Sequence, residues 1–311
     1  MRVTKFIFTV CTILLLVMFA NGIYVLSHLD SSRLIPAPEP FYDYGGQISY
    51  ESKLWQPESS ISEEKPLNLL VLGLDSEGTR CDVLMLFNFE LNLSRLNLLS
   101  IARDTRVLVG GRYTKINSLY SKGGENLVAE KVTAITGLPV HYYLTMDFAG
   151  FREMIDMLGG VSFYVPFRMS YDDPTQNLHI HLRKGMQLLD GKKAEQLVRY
   201  RKGNTKGQGY IEGDIGRIKM QQNFLKALIK QKINLKYISS VDKLFGILKK
   251  YVKTNISFTD ITQYIGSIRK INSDEIKAFT LPGENRLIGG VWYFIFDLEE
   301  TQKMIHNSLY K

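Results

Sequence analysis

The chain has 311 residues, of which 45% are hydrophobic and 23% are charged, so it is too apolar to be disordered and too polar to cross a membrane many times. The length fits one or two domains. The chain has only two cysteines, Cys11 and Cys81, and this number excludes a disulfide framework and every four-cysteine zinc site. The two are also far apart in sequence.

The formal net charge of +8 is distributed unevenly along the chain. Residues 1–182 carry 15 basic and 19 acidic side chains, whereas residues 183–311 carry 24 basic and 12 acidic ones. A basic half of this kind predicts an anionic partner, which can be phosphate, an anionic membrane surface, an acidic polymer or nucleic acid.

An uncharged apolar stretch near the amino terminus predicts a membrane anchor. As a helix, residues 6–26 would reach about 30 Å, the thickness of a bilayer core. Because Arg2 and Lys5 precede this stretch and the next basic residue is Arg33, we expect the amino terminus in the cytoplasm and the remainder outside. A cleaved secretory signal is the alternative, for which residues 20–22 provide a small-residue site. Both interpretations place the remaining chain outside the cytoplasm, which argues against a nucleic-acid partner.

Composition also predicts the order of segments along the chain. Five of the nine prolines lie within residues 27–66, which indicates a juxtamembrane spacer. After the spacer, short apolar runs alternate with polar turns, as in a folded domain. We therefore expect a cytoplasmic tail at 1–5, a transmembrane anchor at 6–26, the spacer at 27–66 and an extracytoplasmic domain at 67–311.

Hydrophobic patterning within that domain predicts an α/β fold. Short apolar runs indicate strands, and apolar residues at helical spacing indicate helices, with Asp147 suited to cap one of them. The predicted strands are 67–74, 83–89, 96–101, 140–146, 161–165, 276–281 and 291–296, and the predicted helices are 124–136, 148–158, 214–232, 239–252 and 258–270. The order strand, helix, strand is typical of an α/β sheet.

Two carboxylates lie at the ends of neighbouring predicted strands. Asp75 directly follows the first strand and Asp82 begins the second. Carboxylate oxygens without histidine are the ligands that Mg²⁺ takes when phosphates complete its coordination, so this pair is a candidate magnesium site. The alternative is structural: Asp75 would cap a turn, and Asp82 would pair with Arg80 in a solvated loop.

Arg103 follows the end of the third predicted strand, where α/β sheets bind ligands. Its planar guanidinium matches two phosphate oxygens at once. The alternative is an exposed ion pair with Asp104, which would contribute only about 0 to 1 kcal/mol.

The basic half contains the densest polar cluster. Asp214, Arg217 and Gln221 stand at helical spacing, so all three project from one face of the helix near its amino terminus. Arg199 and Arg201 precede this helix, and they point to the same side only if the chain is extended between them. The alternative is a solvated charged face with one ion pair between Asp214 and Arg217.

A histidine pair is a weaker candidate. His179 and His181 lie on one side of a possible strand and are suited to bind a metal. No carboxylate or cysteine next to them completes a ligand set, so we expect a surface pair.

Taken together, these motifs resemble the LytR-CpsA-Psr family of cell-wall polymer ligases. The resemblance runs from about residue 67 to residue 232, and the expected membrane anchor fits it. It rests on segments 70–75, 80–82, 100–104, 115–117, 148–161, 189–191 and 199–201, followed by Asp214, Arg217, Gln221 and Gln222. Several motifs in one order make it specific.

The resemblance implies a central mixed sheet covered by helices on both faces, with an apolar pocket for a polyprenyl chain. It also implies a phosphotransferase that moves an anionic glycopolymer from undecaprenyl pyrophosphate to a peptidoglycan hydroxyl. The implied site residues are Asp75 and Asp82 for Mg²⁺, and Arg103, Arg199, Arg201, Arg217 and Gln221 for the pyrophosphate. Arg103, Asp82 and Arg217 are implied to take part in the transfer step, with Asp82 or Asp75 as the general base.

Three departures from the family pattern stand close to these residues. Ala102 replaces a common proline, Cys81 replaces a small polar residue, and the loop between residues 75 and 82 is short. The glycine-rich segment 203–213 is expected to act as a lid. A second class of function stays open: a wall-attached module that binds polyprenyl phosphates or anionic polymer without catalysis and without a metal.

Overall fold

The computed structural model describes residues 66–75, 77–176, 178–205, 207–232, 250–256, 271–272 and 275–309. The expected anchor and spacer, together with most of the helices predicted at 239–252 and 258–270, lie outside these residues. Within the described part of the chain, no helix is both long and apolar enough to cross a membrane.

The described chain is a mixed α/β structure. Its strands are β1 (Leu67–Leu74), β2 (Cys81–Glu90), β3 (Arg95–Ile101), β4 (Arg106–Val109), β5 (Arg112–Lys115), β6 (Tyr142–Met146), β7 (Val161–Val165), β8 (Met169–Asp173), β9 (Leu178–Leu182), β10 (Gly185–Leu189), β11 (Val252–Thr254), β12 (Lys277–Thr280), β13 (Gly283–Ile288) and β14 (Val291–Phe296). Its helices are α1 (Tyr120–Thr136), α2 (Phe148–Met157), α3 (Gly191–Arg199), α4 (Asp214–Lys232) and α5 (Leu298–Leu309).

Six strands form the central sheet, in the order β11-β6-β1-β2-β3-β12. The sheet is mixed, because β1 pairs antiparallel with β2 and parallel with β6. Alternate residues of β1 enter different cores, as strand geometry requires. Leu70 and Leu72 pack in a core that contains Val132 of α1, whereas Leu67 and Leu69 pack in another that contains residues of α4.

A second group of elements packs beside the central sheet. Strands β7 and β10 form one antiparallel pair, and β8 and β9 form another. Together with α2, α3 and α4 they surround a core that includes Phe163, Met169, Leu197, Tyr200 and Phe224. Helix α4 therefore joins this core to the central sheet, and the end of α3 lies close to its first turns.

The sequence predicted several elements with correct bounds: β1, β7, β14 and α4 are confirmed. Helix α1 begins at Tyr120 rather than at residue 124, because the helical stretch continues across a kink at Gly123 and Gly124. The predicted end of a helix at residue 252 was wrong, since Val252 begins strand β11. The hairpins β4–β5 and β8–β9 were not predicted, because their strands are short and carry many polar residues.

Candidate active site

Six of the seven predicted site residues meet at one pocket. The pocket lies between the start of β2, the end of β3 and the junction of α3 with α4. The pocket has a volume of about 180 Å³. It is lined by Asp82, Val83, Arg103, Phe148, Tyr171, Leu178, Val198, Arg199, Arg201, Lys202, Arg217 and Gln221. All five residues predicted to bind pyrophosphate are in this set, together with Asp82, whereas Asp75 is not.

The end of α3 directs two arginines to the same pocket. The helix ends at Arg199, and Tyr200 adopts an extended conformation with its side chain buried in the second core. Arg199 and Arg201 therefore project to the same side, as expected for an extended chain. Arg199 Nη1 donates to Glu195 Oε1 over 2.8 Å, and its guanidinium lies 4.8 Å from the centre of the Phe148 ring.

The first turns of α4 supply a buried ion pair and an amide. Arg217 Nη2 lies 2.7 Å from Asp214 Oδ1, and both side chains are only 8% exposed. Burial lowers the pKa of Arg217, and the Asp214 carboxylate opposes this effect. Gln221 Nε2 donates to the carbonyl of Val198 over 2.9 Å, which fixes the amide against the end of α3.

Arg103 pairs with Asp82 and not with Asp104. Its Nη1 donates to Asp82 Oδ1 over 2.7 Å, while Asp104 lies 3.1 Å from Lys115 Nζ. Burial alone would lower the pKa of Arg103, but the carboxylates of Asp82, Asp214 and Asp104 together more than offset this, so the pKa is above its ordinary value. The expected alternative, an exposed Arg103–Asp104 pair, was wrong.

A shift in strand register places Asp82. Gly73 pairs with Val83 and Leu74 pairs with Cys81, so Asp82 is the extra residue of a bulge in β2. Bulges turn a side chain away from the regular alternation of a strand, and they are common beside active sites. The bulge therefore explains how Asp82 reaches Arg103 while Cys81 stays buried in the core.

Asp75 is held within the turn between β1 and β2. Its Oδ1 accepts from the backbone N–H groups of Thr79 and Arg80, at 2.9 and 3.2 Å, and its Oδ2 accepts from Arg80 Nε at 3.0 Å. Burial raises the pKa of Asp75, but the hydrogen bonds from these donors lower it by more than burial raises it. The pKa is therefore below its ordinary value. The turn-capping alternative for Asp75 is confirmed, whereas the predicted Asp82–Arg80 pair was wrong because Arg80 pairs with Asp75.

The donor chemistry of this turn fits a magnesium ion. Asp75 and Asp82 supply carboxylate oxygens at the two ends of one short turn, and the low pKa of Asp75 keeps it ionised at neutral pH. Such hard oxygens are the protein ligands that Mg²⁺ takes. A bound ion would share the Asp75 carboxylate with Arg80 and the Asp82 carboxylate with Arg103.

The pocket carries an excess of positive charge. Among its lining residues are four arginines and Lys202, and Asp82 is the only acid among them. Two further carboxylates, Glu195 and Asp214, pair with arginines of the lining. Glu195 is also shared with Arg152, so the three acids leave an excess of positive charge that suits a pyrophosphate diester.

Two of the arginines also contain donors without partners. The Nε atoms of Arg103 and Arg217 are buried, and neither has a hydrogen-bond partner among the described residues. An unsatisfied buried donor costs about 1 to 3 kcal/mol, and more when the group is charged. Both residues also line the pocket, so other atoms of their guanidinium groups face a bound anion.

The glycine-rich segment packs against the second core through an aromatic residue. Tyr210 makes edge-on contacts with Phe167 and Tyr200, with ring centres 5.4 and 5.7 Å apart. Gly209 lies against the backbone of Arg201 and Lys202 with a φ of +137°, a conformation and spacing that exclude a side chain. The sequence did not single out Lys202, although it directly follows Arg201.

The histidine pair has an acidic neighbour. Register between β8 and β9 places Asp172 opposite His179, and Asp172 Oδ1 contacts a ring nitrogen of both His179 and His181. The expectation that no carboxylate completes the set was wrong, because Asp172 lies seven residues before His179 and opposite it across the hairpin. These residues are not part of the pocket lining.

The motifs, the sheet and the pocket agree with a comparison to known families. The model of the LytR_cpsA_psr family matches residues 44–309. The chain belongs to this family. The match extends past residue 232, so β12 to β14 and α5 are part of the family domain, which the motifs alone had not indicated.

Several named relatives are similar in sequence. TagV of Bacillus subtilis, a polyisoprenyl-teichoic acid–peptidoglycan teichoic acid transferase, is 30% identical over 262 residues, which cover 79% of this chain and 66% of TagV. TagU of the same organism, with the same transferase name, is 27% identical over 97% of this chain and 95% of TagU. The regulatory protein MsrR of Staphylococcus aureus is 30% identical over 78% of this chain and 72% of MsrR.

Solved structures share the fold. The crystal structure of B. subtilis TagV superposes with a TM-score of 0.64 and 29% identity, covering 80% of this chain and 99% of that one. A structure described as TagT bound to LI-WTA has a TM-score of 0.62 and 25% identity, covering 80% and 92% of the two chains. The mixed sheet with its helices is therefore the family fold.

Proposed function

We propose that this protein is a phosphotransferase of the cell wall. It would move an anionic glycopolymer, of teichoic acid or capsular type, from an undecaprenyl pyrophosphate carrier to a hydroxyl of peptidoglycan. The observation that carries this proposal is the convergence of four arginines and Lys202 on one pocket whose described lining contains Asp82 as its single acid. The names of TagV and TagU support the same reaction class.

In the transfer step, the hydroxyl oxygen attacks the phosphorus that bears the glycopolymer. A new phosphodiester bond forms, the bond to the bridging oxygen of the pyrophosphate breaks, and polyprenyl phosphate leaves with the bonding electrons. Negative charge spreads over the phosphoryl oxygens in the transition state, so donors fixed in advance stabilise it. Arg103, Arg199 and Arg217 suit this role because a carboxylate orients each guanidinium.

The proton of the attacking hydroxyl needs an acceptor, since a sugar hydroxyl is a weak nucleophile at neutral pH. Asp82 is our candidate, because it is the only acid among the described residues that line the pocket. Asp75 is less suited, since both of its carboxylate oxygens accept hydrogen bonds within the turn. Arg201 and Lys202 are exposed at the pocket edge and would contact the pyrophosphate as it enters.

We also propose that the site uses Mg²⁺, held by Asp75 and Asp82. When bound, the ion would neutralise charge on the phosphate oxygens. The stretch at residues 6–26 would anchor the protein in the cell membrane, with the folded domain on the extracytoplasmic side, next to a lipid-linked substrate and to peptidoglycan.

A non-catalytic module is the second candidate. The relative MsrR is named a regulatory protein, and the same cationic pocket would bind polyprenyl phosphates or anionic polymer without a metal. The two candidates differ in one respect: only the transferase consumes the lipid-linked donor and forms a phosphodiester product.

The deciding experiment incubates the full chain, purified in detergent, with lipid-linked glycopolymer and peptidoglycan, with Mg²⁺ or with chelator. We expect glycopolymer attached to peptidoglycan and release of polyprenyl phosphate, both abolished by Arg103→Ala, Arg199→Ala or Asp82→Ala. Full activity in all three variants would reject the site. Binding of the donor with no product under either condition would favour the module, and product formed equally well in chelator would reject the magnesium proposal alone.

A further inference from the structure

The β8–β9 hairpin has two different faces. Alternation places Tyr171 and Leu178 toward the protein, where both line the catalytic pocket. The opposite face carries Asp172, His179 and His181, whose side chains are about half exposed. One hairpin therefore supports the pocket wall on one face and presents a carboxylate and two imidazoles on the other.

The three outward side chains converge on one point. Asp172 Oδ1 lies 2.6 Å from His179 Nδ1 and 3.1 Å from His181 Nε2, and one ligand atom of each residue lies within 4.8 Å of the others. A tetrahedral zinc site with bonds of about 2.1 Å has ligand atoms about 3.4 Å apart. Reaching this spacing lengthens the Asp172–His179 distance by about 0.8 Å and the Asp172–His181 distance by about 0.3 Å, and it brings the two imidazole nitrogens to the same spacing from a separation of at most 4.8 Å.

The backbone that carries these ligands is braced from other elements. Asn204 accepts from the Asp172 backbone N–H over 2.7 Å and donates to its carbonyl over 2.8 Å. The backbone N–H of His181 donates to Gln196 Oε1 on α3 over 3.1 Å. Fixed backbones hold the ligand side chains close together before an ion binds, which lowers the entropy lost on binding.

We propose that Asp172, His179 and His181 bind one transition-metal ion of the zinc class. Two imidazoles and a carboxylate suit Zn²⁺, Co²⁺ or Ni²⁺, whereas Mg²⁺ and Ca²⁺ prefer oxygen ligands. The site is distinct from the proposed magnesium site in both residues and chemistry. Three protein ligands leave the fourth tetrahedral position to water or to an external donor.

A bound ion would cross-link the two strands of the hairpin. Because Asp172 is on β8 and both histidines are on β9, the ion would hold the two strands in register behind Tyr171 and Leu178. The metal would thereby stabilise the wall of the catalytic pocket without touching the substrate. Its effect is expected on local opening of the hairpin rather than on the transfer chemistry.

Binding of Zn²⁺ and Co²⁺ to the untagged, metal-free full chain tests the site. We expect one equivalent of Zn²⁺ by calorimetry, the visible absorption bands of tetrahedral cobalt, and slower hydrogen exchange across residues 169–182 with Zn²⁺. His179→Ala, His181→Ala and Asp172→Asn should each weaken affinity at least about tenfold and remove the cobalt bands. His306→Ala, which removes an exposed histidine from α5, should change none of these.

The ligand side chains are about half exposed, so the variants should unfold at the same temperature as the wild type in the absence of metal, which separates lost ligation from lost folding. The proposal is overturned if the wild type binds no Zn²⁺. It is also overturned if the variants bind Zn²⁺ as tightly as the wild type, or if the hairpin exchanges hydrogen at the same rate with and without the ion.

Discussion

Arg103 Nη1 donates to Asp82 Oδ1 over 2.7 Å, and this hydrogen bond joins the end of β3 to the bulge at the start of β2. One partner is a proposed phosphate ligand, and the other is a proposed metal ligand and base. Each side chain is roughly one quarter exposed, so the pair lies at the pocket surface, where solvent only partly screens it. The geometry therefore couples the anion site to the acidic turn.

Asp82→Asn tests this coupling. The variant replaces the carboxylate that pairs with Arg103 and that we propose as metal ligand and general base. We therefore expect the transfer rate to fall about 100-fold or more while the chain stays folded. The rate is measured as glycopolymer attached to peptidoglycan, and folding by circular dichroism. Asp104→Asn is the matched control, because Asp104 neighbours Arg103 but pairs with Lys115. Equal rates in both variants would refute the role of Asp82.

The Asp214–Arg217 pair is expected to matter for stability as well as for binding. Arg217→Gln leaves a buried carboxylate without its close partner, and Arg201 Nε is 3.9 Å away. We expect the free energy of unfolding to fall by about 3 to 5 kcal/mol, measured by urea denaturation. The double variant with Asp214→Asn should recover part of this loss.

An exposed pair between the same helix and the turn before it provides the control for that measurement. Lys219 bonds to Glu212 and both side chains are about half exposed. Lys219→Gln should therefore change the free energy of unfolding by at most about 1 kcal/mol. A loss of similar size in Lys219→Gln and Arg217→Gln would show that burial of the Asp214–Arg217 pair is not what stabilises the helix.

Arg201→Ala should weaken substrate binding without changing the stability of the fold. Its side chain is 45% exposed, so Arg201→Ala should change the free energy of unfolding by no more than about 0.5 kcal/mol. Loss of a charge-assisted hydrogen bond to phosphate should weaken affinity for polyprenyl pyrophosphate about ten- to hundredfold and reduce its dependence on salt. Binding is measured by fluorescence titration. Arg286→Ala, an exposed arginine on β13 bonded to Glu284, should bind like the wild type.

Local sequence patterns predicted much of the frame on which the site is built. The apolar run of β1 and the helical spacing that begins at Asp214 of α4 gave correct element bounds, because both patterns act over a few residues. The sequence predicted that Arg199 and Arg201 lie on one side of the chain if the backbone between them is extended, and Tyr200 is extended. These features depend on neighbours in sequence, which a single chain displays directly.

Features set by strand register were not predicted. The partner of Arg80 depends on a bulge at Asp82, and a shift of one residue in register moves a side chain to the other face of the strand. The approach of Asp172 to His179 likewise depends on how β8 and β9 align across their turn. Spacing along the chain carries no information on either alignment, so the carboxylate partners of Arg80 and of the histidines emerged only from the structure.

The turn at Asp75 predicts a specific dependence of stability on pH. Backbone N–H groups and Arg80 hold the pKa of Asp75 below its ordinary value, and an unfolded aspartate titrates near about 3.9. A group with a depressed pKa in the folded state stabilises the fold above its unfolded pKa, and this stabilisation is lost as the pH falls through the folded value. The difference in unfolding free energy between the wild type and Asp75→Asn should therefore be constant from about pH 7 to 5 and smaller at about pH 3.

Urea denaturation in chelator measures this difference without any contribution from a metal. As a control, Glu77→Gln removes the same charge from an exposed position of the same turn. If the difference for Asp75→Asn persists unchanged at the lowest pH, the ionised carboxylate is not what stabilises the turn.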